Sequence, residues 1–252
     1  MAIQIETIRC LQDNYAFLVH DPATQETTLI DAPEAPPILD ALARLGWRLD
    51  RILITHHHPD HIDGIPGILA AHPARVLGAA ADAHRLPPLD QAFAPGDTLP
   101  GGFVVMDAPG HTLGHVAFHL PAAQALFSAD SLMTHGCGRL FEGTAADMFA
   151  TVTRFAALPD ETRVYAGHDY AAANLSFAAR FAPDAEALTA RQAELPRLAE
   201  TGGSTTGTTL ASEKRLNPYL RCHLPEVAAA AGLPDGDPLA VLTEIRRQKD
   251  NA

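Results

Sequence analysis

The chain has 252 residues, 47% of them hydrophobic and 19% charged, which suits one large globular domain or a domain with a smaller annex. Its formal net charge of −12 argues against a nucleic-acid partner, and no apolar run approaches the roughly 18 residues of a membrane span. Three cysteines without CxxC spacing argue against disulfides and indicate a reducing cytoplasm, and the first ten residues lack a signal-peptide pattern.

Short apolar strands alternate with amphipathic helices over the first two-thirds of the chain. Strands are predicted at 3–7, 14–20, 27–32, 51–55, 74–78, 103–108, 115–120, 125–129 and 163–167. Helices are predicted at 36–46, 64–72 and 145–158. The strand at 51–55, RILIT, is almost continuously apolar, as expected of a strand buried on both faces. This alternation predicts an α/β layered domain.

The strand pattern disappears after about residue 170. Helices are predicted at 171–182, 184–195, 225–232 and 237–248. The segment 200–212 between them is rich in Gly, Ser and Thr, which is typical of a flexible linker that is too polar for a core. We therefore predict two domains, 1–169 and an all-helical C-terminal domain over 170–252.

The segment THHHPDHIDG at 55–64 follows the buried strand directly. Alternate side chains of extended backbone share a face, so His56 and His58 can reach one point while His57 faces away. Imidazole is a ligand that zinc, iron and manganese accept. A lone HxH pair is more often a solvated loop, but this motif behind a buried strand predicts a metal site.

Further side chains of the metal-ligating type lie elsewhere in the chain. Asp60 and His61 lie where a helix begins after Pro59. His115, Asp130 and His168 each occur at a strand end. Seven ligands are too many for one tetrahedral ion, but they suit two ions with one bridging carboxylate.

Four motifs, THHHPDH, GHTLGH, FSAD and GHD, resemble in this order those of the metallo-β-lactamase superfamily. That resemblance implies a four-layer αββα sandwich with metals at one end of the paired sheets. The segments LQDNYAFLV, GCGRLFEGT, NPYLR and RRQKD resemble the glyoxalase II, or hydroxyacylglutathione hydrolase, family. The resemblance covers essentially the whole chain, including its helical C-terminal part.

The resemblance also implies how the ligands are shared between two divalent ions, of which zinc is expected first and iron or manganese next. The first ion would take His56, His58 and His115, the second Asp60, His61 and His168, and Asp130 would bridge both. Asp60 and Asp130 are accordingly the catalytic candidates, Asp60 chiefly as a ligand.

The implied reaction is hydrolysis of S-(2-hydroxyacyl)glutathione, chiefly S-D-lactoylglutathione, to glutathione and D-lactate, in the glyoxalase pathway for methylglyoxal. Hydroxide forms near neutral pH between two cations and would attack the thioester carbonyl. A thiolate leaving group, whose conjugate acid has a pKa of roughly 8.5, needs no strong general acid. The alternatives are a mononuclear iron persulfide dioxygenase, another hydrolase of this fold, and a metal-binding protein without catalysis.

By the same resemblance, Arg246 and Lys249 would bind the glycine carboxylate of glutathione, together with Arg139, Phe141 and Tyr170. The spacing of three places Arg246 and Lys249 on one helix face. Taken alone, RRQK near a helix C-terminus is more often a solvated helix end placed favourably against the dipole. A monomer is expected, since no exposed apolar stripe demands a partner.

Some residues depart from the family pattern or have open roles. The departures, which bear on affinity and substrate more than on metal binding, are Asp63, Arg139, Phe141 and Asp169. Asp31 could orient a metal-bound histidine or cap a loop, and the sequence leaves both open. His111 is expected to support its loop rather than bind metal, and Cys137 to be a buried thiol.

Overall fold

The computed structural model describes residues 2–252, which form two compact units. The first unit contains the residues up to Asp107 together with Gly114–Phe127, and the second contains Ala108–Leu113 and Ser128–Ala252. The domain boundary expected between residues 169 and 170 stays a prediction from the sequence.

A mixed six-stranded sheet lies in the first unit. Its strands, in spatial order, are β1 (Gln4–Cys10), β2 (Asn14–Asp21), β3 (Glu26–Ile30), β4 (Arg51–Leu53), β5 (Arg75–Ala79) and β6 (Gln91–Phe93). β1, β2 and β3 pair antiparallel, whereas β3 to β6 pair parallel. Ile52 on β4 aligns with Leu29 on one side and Val76 on the other. β4 is buried throughout, as its apolar sequence predicts.

A second, antiparallel sheet faces the first one within this unit. Its strands are β7 (Thr98–Leu99), β8 (Phe103–Asp107), β9 (Val116–Leu120) and the start of β10 (Ala125–Ala129). Aromatic rings fill the space between the sheets: Phe17 lies 5.5 Å from Phe127, and Phe93 lies 5.7 Å from Phe118, centroid to centroid. Such pairs add to the burial of the rings themselves.

Two helices cover the other face of the mixed sheet. They are α1 (Ala35–Leu45) and α3 (Ile65–Ala71), and the short α2 (Pro59–Ile62) precedes α3. Prolines at its first turn and Gly46 at φ 67° bound α1, as predicted. Ile38, Leu42 and Ile68 are buried against the sheet, and each such side chain contributes roughly 1.5–3 kcal/mol relative to exposure.

The second unit combines short strands with most of the helices. In chain order, its elements are β11 (Leu132–Met133), β12 (Gly136–Cys137), α4 (Ala145–Ala156), β13 (Arg163–Ala166), α5 (Ala171–Ala178), α6 (Ala185–Thr201), β14 (Thr208–Thr209), α7 (Leu210–Leu216), α8 (Pro225–Ala230) and α9 (Pro238–Asp250). The end of β10 lies beside β13, where Gly167 N donates to Ala129 O at 3.0 Å. Within residues 2–252 no helix is long and apolar enough to cross a membrane.

Part of the segment 200–212 is buried, so the prediction that this linker lies outside the core is wrong. α6 continues to Thr201, β14 pairs antiparallel with β13, and Thr205 and Leu210 are buried. Thr206 Oγ1 accepts a hydrogen bond from Ala166 N at 2.7 Å. The polar composition led to the wrong prediction for two reasons. Threonine hydroxyls can form hydrogen bonds with backbone groups, and threonine favours strands.

Candidate metal centre

Thr55 anchors the start of the histidine-rich segment. Its backbone N and its Oγ1 donate to the two carboxylate oxygens of Asp31 at 2.9 and 2.7 Å. Its carbonyl accepts from Val116 N at 3.0 Å. Asp31 itself has φ 56°, a left-handed conformation that aspartate tolerates better than most residues. The backbone is therefore fixed immediately before His56.

Three histidine rings of the first unit lie close to the ring of His56. The ring centroid of His56 lies 4.7 Å from that of His58, 4.2 Å from that of His61 and 4.7 Å from that of His115. His56 Nε2 and His58 Nδ1 are 3.1 Å apart. Two nitrogens bound to one tetrahedral zinc at about 2.0–2.1 Å would lie roughly 3.3 Å apart. This pair therefore has the spacing and donor type that a metal ion needs.

His61 and Asp60 lie on α2 and are held by neighbours on other strands. His61 Nδ1 lies 2.8 Å from Asp31 Oδ2, which leaves Nε2 as the ligating nitrogen. Asn14 Nδ2 donates to Asp60 Oδ2 at 3.0 Å, and this oxygen lies 3.8 Å from His61 Nε2. Asp31 thus orients the candidate ligand His61 and also caps the loop at Thr55. The sequence left these two roles open, and the structure shows contacts for both.

A second group of ligand-type side chains lies in the second unit around Asp130, which directly follows β10. Asp130 Oδ2 is 3.4 Å from His111 Nε2 and 3.3 Å from His168 Nε2. All three side chains are buried. His168 comes two residues after the end of β13. A carboxylate between two imidazoles is the arrangement expected of a bridging ligand.

The two histidines of the GHTLGH motif differ in their surroundings. His111 Nδ1 lies 2.8 Å from Arg139 O, so Nδ1 carries the proton and Nε2 can bind a metal. The ring of His115 is stacked on that of His56, with an interplanar angle of 26°. Among residues 2–252, His111 belongs to a group of side chains able to hold one ion, and His115 to none. His111, which the sequence assigns to loop support, is therefore a further candidate ligand, and a ligand role for His115 stays a prediction.

The position of the strands explains this difference. His115 directly precedes β9, whereas His111 lies in the loop that follows β8. Asp130 and His168 were selected because each lies just past a strand. The same criterion, applied to the end of β8, selects His111.

His57 lies apart from this pattern of ligand contacts. Its Nδ1 is 3.3 Å from Asp82 Oδ2, and its Nε2 is 3.3 Å from Arg85 Nη1. Asp82 is buried, and a Cβ on Gly114 would lie 2.2 Å from its Cγ, so only glycine fits at 114. These contacts agree with the alternation that points His57 away from His56 and His58.

Two of the three basic residues expected to bind substrate, Arg246 and Arg139, contact Asp250 at the end of α9. Arg246 is buried and donates to Cys137 O at 3.0 Å and to Asp250 Oδ1 at 2.7 Å. Arg139 Nε lies 3.6 Å from the same carboxylate. Lys249 Nζ lies 5.0 Å from the ring centroid of Phe177, and burial lowers the pKa of Lys249. Asp237 caps the start of this helix through Ala240 N.

The two aromatic residues expected at the substrate site contact candidate metal ligands. Tyr170 is stacked on His168, with centroids 4.8 Å apart and an interplanar angle of 7°. Phe141 is 61% exposed, and its ring lies 5.2 Å from that of His111. Cys137 is a buried free thiol, as expected, and burial raises its pKa to about 11. The thiol is therefore protonated at neutral pH.

Two family models match consecutive parts of the chain: residues 12–168 match the metallo-beta-lactamase superfamily, and residues 169–252 match the hydroxyacylglutathione hydrolase C-terminus. A protein of Fuscovulum blasticum named hydroxyacylglutathione hydrolase is 53% identical over 253 residues, which cover 99% of each chain.

Solved structures are similar as well. The crystal structure of ETHE1 from Myxococcus xanthus has a TM-score of 0.66 and 26% identity, covering 99% of this chain and 98% of that one. TTHA1623 in a di-iron-bound form has a TM-score of 0.59 and 30% identity, covering 66% of this chain and 92% of that one.

These similarities confirm the expected α/β metallo-β-lactamase fold with a helical C-terminal region. They also agree with a set of histidine and aspartate side chains able to bind divalent metal. The chain therefore belongs to the hydroxyacylglutathione hydrolase family of the metallo-β-lactamase superfamily.

Proposed function

We propose that the chain hydrolyses S-(2-hydroxyacyl)glutathione thioesters, chiefly S-D-lactoylglutathione, to glutathione and a 2-hydroxy acid. With D-lactate as product, this is the second step of the glyoxalase pathway. The observation that carries the proposal is similarity over the full length to proteins named for this activity, including the helical part after residue 169. The proposed division of labour is metal chemistry in 1–169 and substrate binding in 170–252.

The proposal includes two divalent ions. The first would be held by His56, His58 and His111, the second by Asp60, His61 and His168, and Asp130 would contact both. His111 replaces His115 in this set because of the contacts of their rings and ring nitrogens. The di-iron-bound form of TTHA1623 supports the number of ions. Zinc is the first choice, although imidazole and carboxylate ligands also accept iron and manganese.

Bound ions of this kind polarise a carbonyl group and lower the pKa of a bound water to about 7. The residues of the chain keep the ligands in the protonation state that metal binding needs. Asp31 directs Nδ1 of His61 and Arg139 O directs Nδ1 of His111, which leaves both Nε2 atoms free of a proton. Asn14 orients the carboxylate of Asp60 through its amide donor.

The substrate would be held at the end of α9. Arg246 and Lys249 would bind the glycine carboxylate of glutathione, and Arg139 and Tyr170 would contact the rest of the peptide. Phe141 offers an exposed ring but no hydroxyl, so one hydrogen bond to the peptide is lost relative to family members with tyrosine. We expect this change to raise KM rather than lower kcat, because contacts far from the reacting carbonyl contribute mostly uniform binding.

The test is to load the purified protein with Zn²⁺ and follow the loss of thioester absorbance of S-D-lactoylglutathione. Cleavage should stop with a chelator and return with added metal. Fully metallated protein that leaves the thioester intact would overturn the proposal. Oxygen uptake with one iron per chain would indicate the dioxygenase chemistry considered above.

A monomeric state and a cytoplasmic location remain predictions from the sequence.

A further inference from the structure

Three charged or titratable side chains are buried in the second unit and take no part in the chemistry proposed above. Glu213 is 0% exposed, His135 is 1% exposed and Arg191 is 7% exposed. Burying such groups is unfavourable unless they are paired and hydrogen-bonded, so their contacts need an explanation. Together with Thr205 they form a continuous chain of contacts, called here the buried polar network.

Glu213 joins α7 to the hairpin that follows Asp130. Its Oε2 accepts from His135 N at 2.8 Å and from Asn217 Nδ2 at 3.0 Å, and its Oε1 accepts from Thr208 Oγ1 at 2.7 Å. His135 forms the turn between β11 and β12, with φ 59°. The hairpin begins two residues after Asp130, so the helical part of the chain fixes the segment next to this carboxylate.

His135 connects Glu213 to Arg191. Arg191 Nε donates to His135 Nε2 at 3.0 Å, so Nε2 carries no proton and the proton is on Nδ1. Nδ1 lies 3.3 Å from Glu213 Oε1, close enough for an electrostatic contact but without the geometry of a hydrogen bond. Burial lowers the pKa of His135, which keeps the ring neutral and this arrangement fixed. The network therefore has one defined pattern of donors and acceptors.

Arg191 connects the network to the segment next to His168. Its Nη2 donates to Thr205 O at 2.6 Å. The hydroxyl of the same threonine donates to Asp169 Oδ1. Asp169 follows His168 directly. The Asp169 carboxylate thus has a partner from the segment 200–212, which the sequence alone assigns to a linker.

We propose that the buried polar network is a positioning device for His168, with Thr205 as its last member. Thr205 fixes the Asp169 carboxylate, and Asp169 fixes the turn from which His168 extends. The inference rests on the proposed function only in taking His168 as a metal ligand. Contacts behind a ligand typically change metal affinity by about 10–100-fold, which sets the size of the expected effect.

The experiment compares Thr205→Val with Thr189→Val. Both changes replace a hydroxyl by a methyl group, but Thr189 is exposed on α6 and donates only to Ala185 O of its own helix. Metal-free protein is titrated with Co²⁺ against a colorimetric chelator, and the visible spectrum of bound Co²⁺ is recorded. T205V should bind one of the two equivalents about 10–100-fold more weakly, and T189V should match the parent.

Thr205→Ser keeps the hydroxyl and should restore the parental Co²⁺ affinity and spectrum. If T205V does not fold, Glu213→Gln carries the same test. It replaces one accepting carboxylate oxygen by an amide NH2 group that cannot accept a hydrogen bond, and it should weaken the same equivalent. Parental affinity for both equivalents in T205V or, failing that, E213Q would overturn the inference. A parent protein that binds no metal or cleaves no thioester would instead overturn the proposed function, so the two failures are distinguishable.

Discussion

The partner of each candidate ligand decides which of its atoms is available to a metal. His61 and His111 both keep Nδ1 on an oxygen of the protein, one on Asp31 and the other on Arg139 O. Their Nε2 atoms therefore project away from those partners. The sequence could indicate six of the seven proposed ligands from their positions after strands and at the start of a helix. It could not show which histidine of GHTLGH has such a partner.

Replacing His111 or His115 by alanine separates these two residues. We expect His111→Ala to lose one ion per chain and to lower kcat/KM by about 10²–10³-fold, since a missing ion removes several kcal/mol of charge stabilisation. His115→Ala should keep both ions and most of the activity. Metal content and thioester turnover are measured on the same preparations. A loss of metal in His115→Ala and not in His111→Ala would restore the assignment made from the sequence.

Lys249 gives a prediction about pH. Burial and then the nearby Arg246 lower the pKa of Lys249, so its ammonium group loses its proton at lower pH than a free lysine does. If this ammonium binds a substrate carboxylate, KM should start to rise at a pH below the ordinary lysine pKa of about 10.4, while kcat is steady.

The matched control is Lys249→Arg, whose guanidinium stays protonated at these pH values. Its KM should be nearly constant apart from titration of the substrate itself, which affects both proteins equally. The same rise of KM with pH in both proteins would show that Lys249 is not the group responsible.

Elements that lie in a long periodic or apolar run were predictable from the sequence, and isolated short strands were not. α1 was bounded by its prolines and Gly46, and β4 lies within the apolar run RILIT. Strands of two residues, such as β7, β11 and β14, carry too few positions for a pattern. Such strands form only by pairing with strands that are distant in the sequence. The antiparallel pairing of β14 with β13 is the clearest example.

The start of α4 offers a test of one element. Thr144 Oγ1 accepts from Asp147 N, and the Asp147 carboxylate accepts from Thr144 N, which forms a capping box. Thr144→Ala should lower the free energy of unfolding by about 1 kcal/mol, measured by urea denaturation. Thr153→Ala, at an exposed position in the same helix, should be neutral or slightly stabilising because alanine favours helices. Equal losses in both variants would contradict the cap.

The capping box also has a pH dependence with a definite sign. Hydrogen bonds from Thr144 lower the pKa of Asp147 in the folded protein. Its contribution to stability is therefore present above the ordinary aspartate pKa of about 3.9 and is lost as the pH falls below it. The difference in stability between the parent protein and Thr144→Ala should shrink accordingly in acid.

At the scale of the whole molecule, the order of motifs along the chain predicted the fold class and the family. The reason is physical. Side chains at the ends of neighbouring strands lie together at the edge of a sheet, so the spacing of the ligand motifs along the chain reflects the order of the strands. What the sequence could not provide was the pattern of buried contacts. The network from Glu213 to Thr205 joins residues that lie far apart in the sequence, and no local pattern indicates that they are in contact.

The central claim is that turnover of the thioester depends on two divalent ions. The most direct measurement adds Zn²⁺ in steps to metal-free protein and records bound zinc and hydrolysis of S-D-lactoylglutathione at each step. Activity should reach its maximum only as bound zinc approaches two ions per chain, and His168→Ala should stop near one ion with kcat/KM lowered by about 10²–10³-fold. Full activity at one ion per chain, or no hydrolysis at two, would contradict the account.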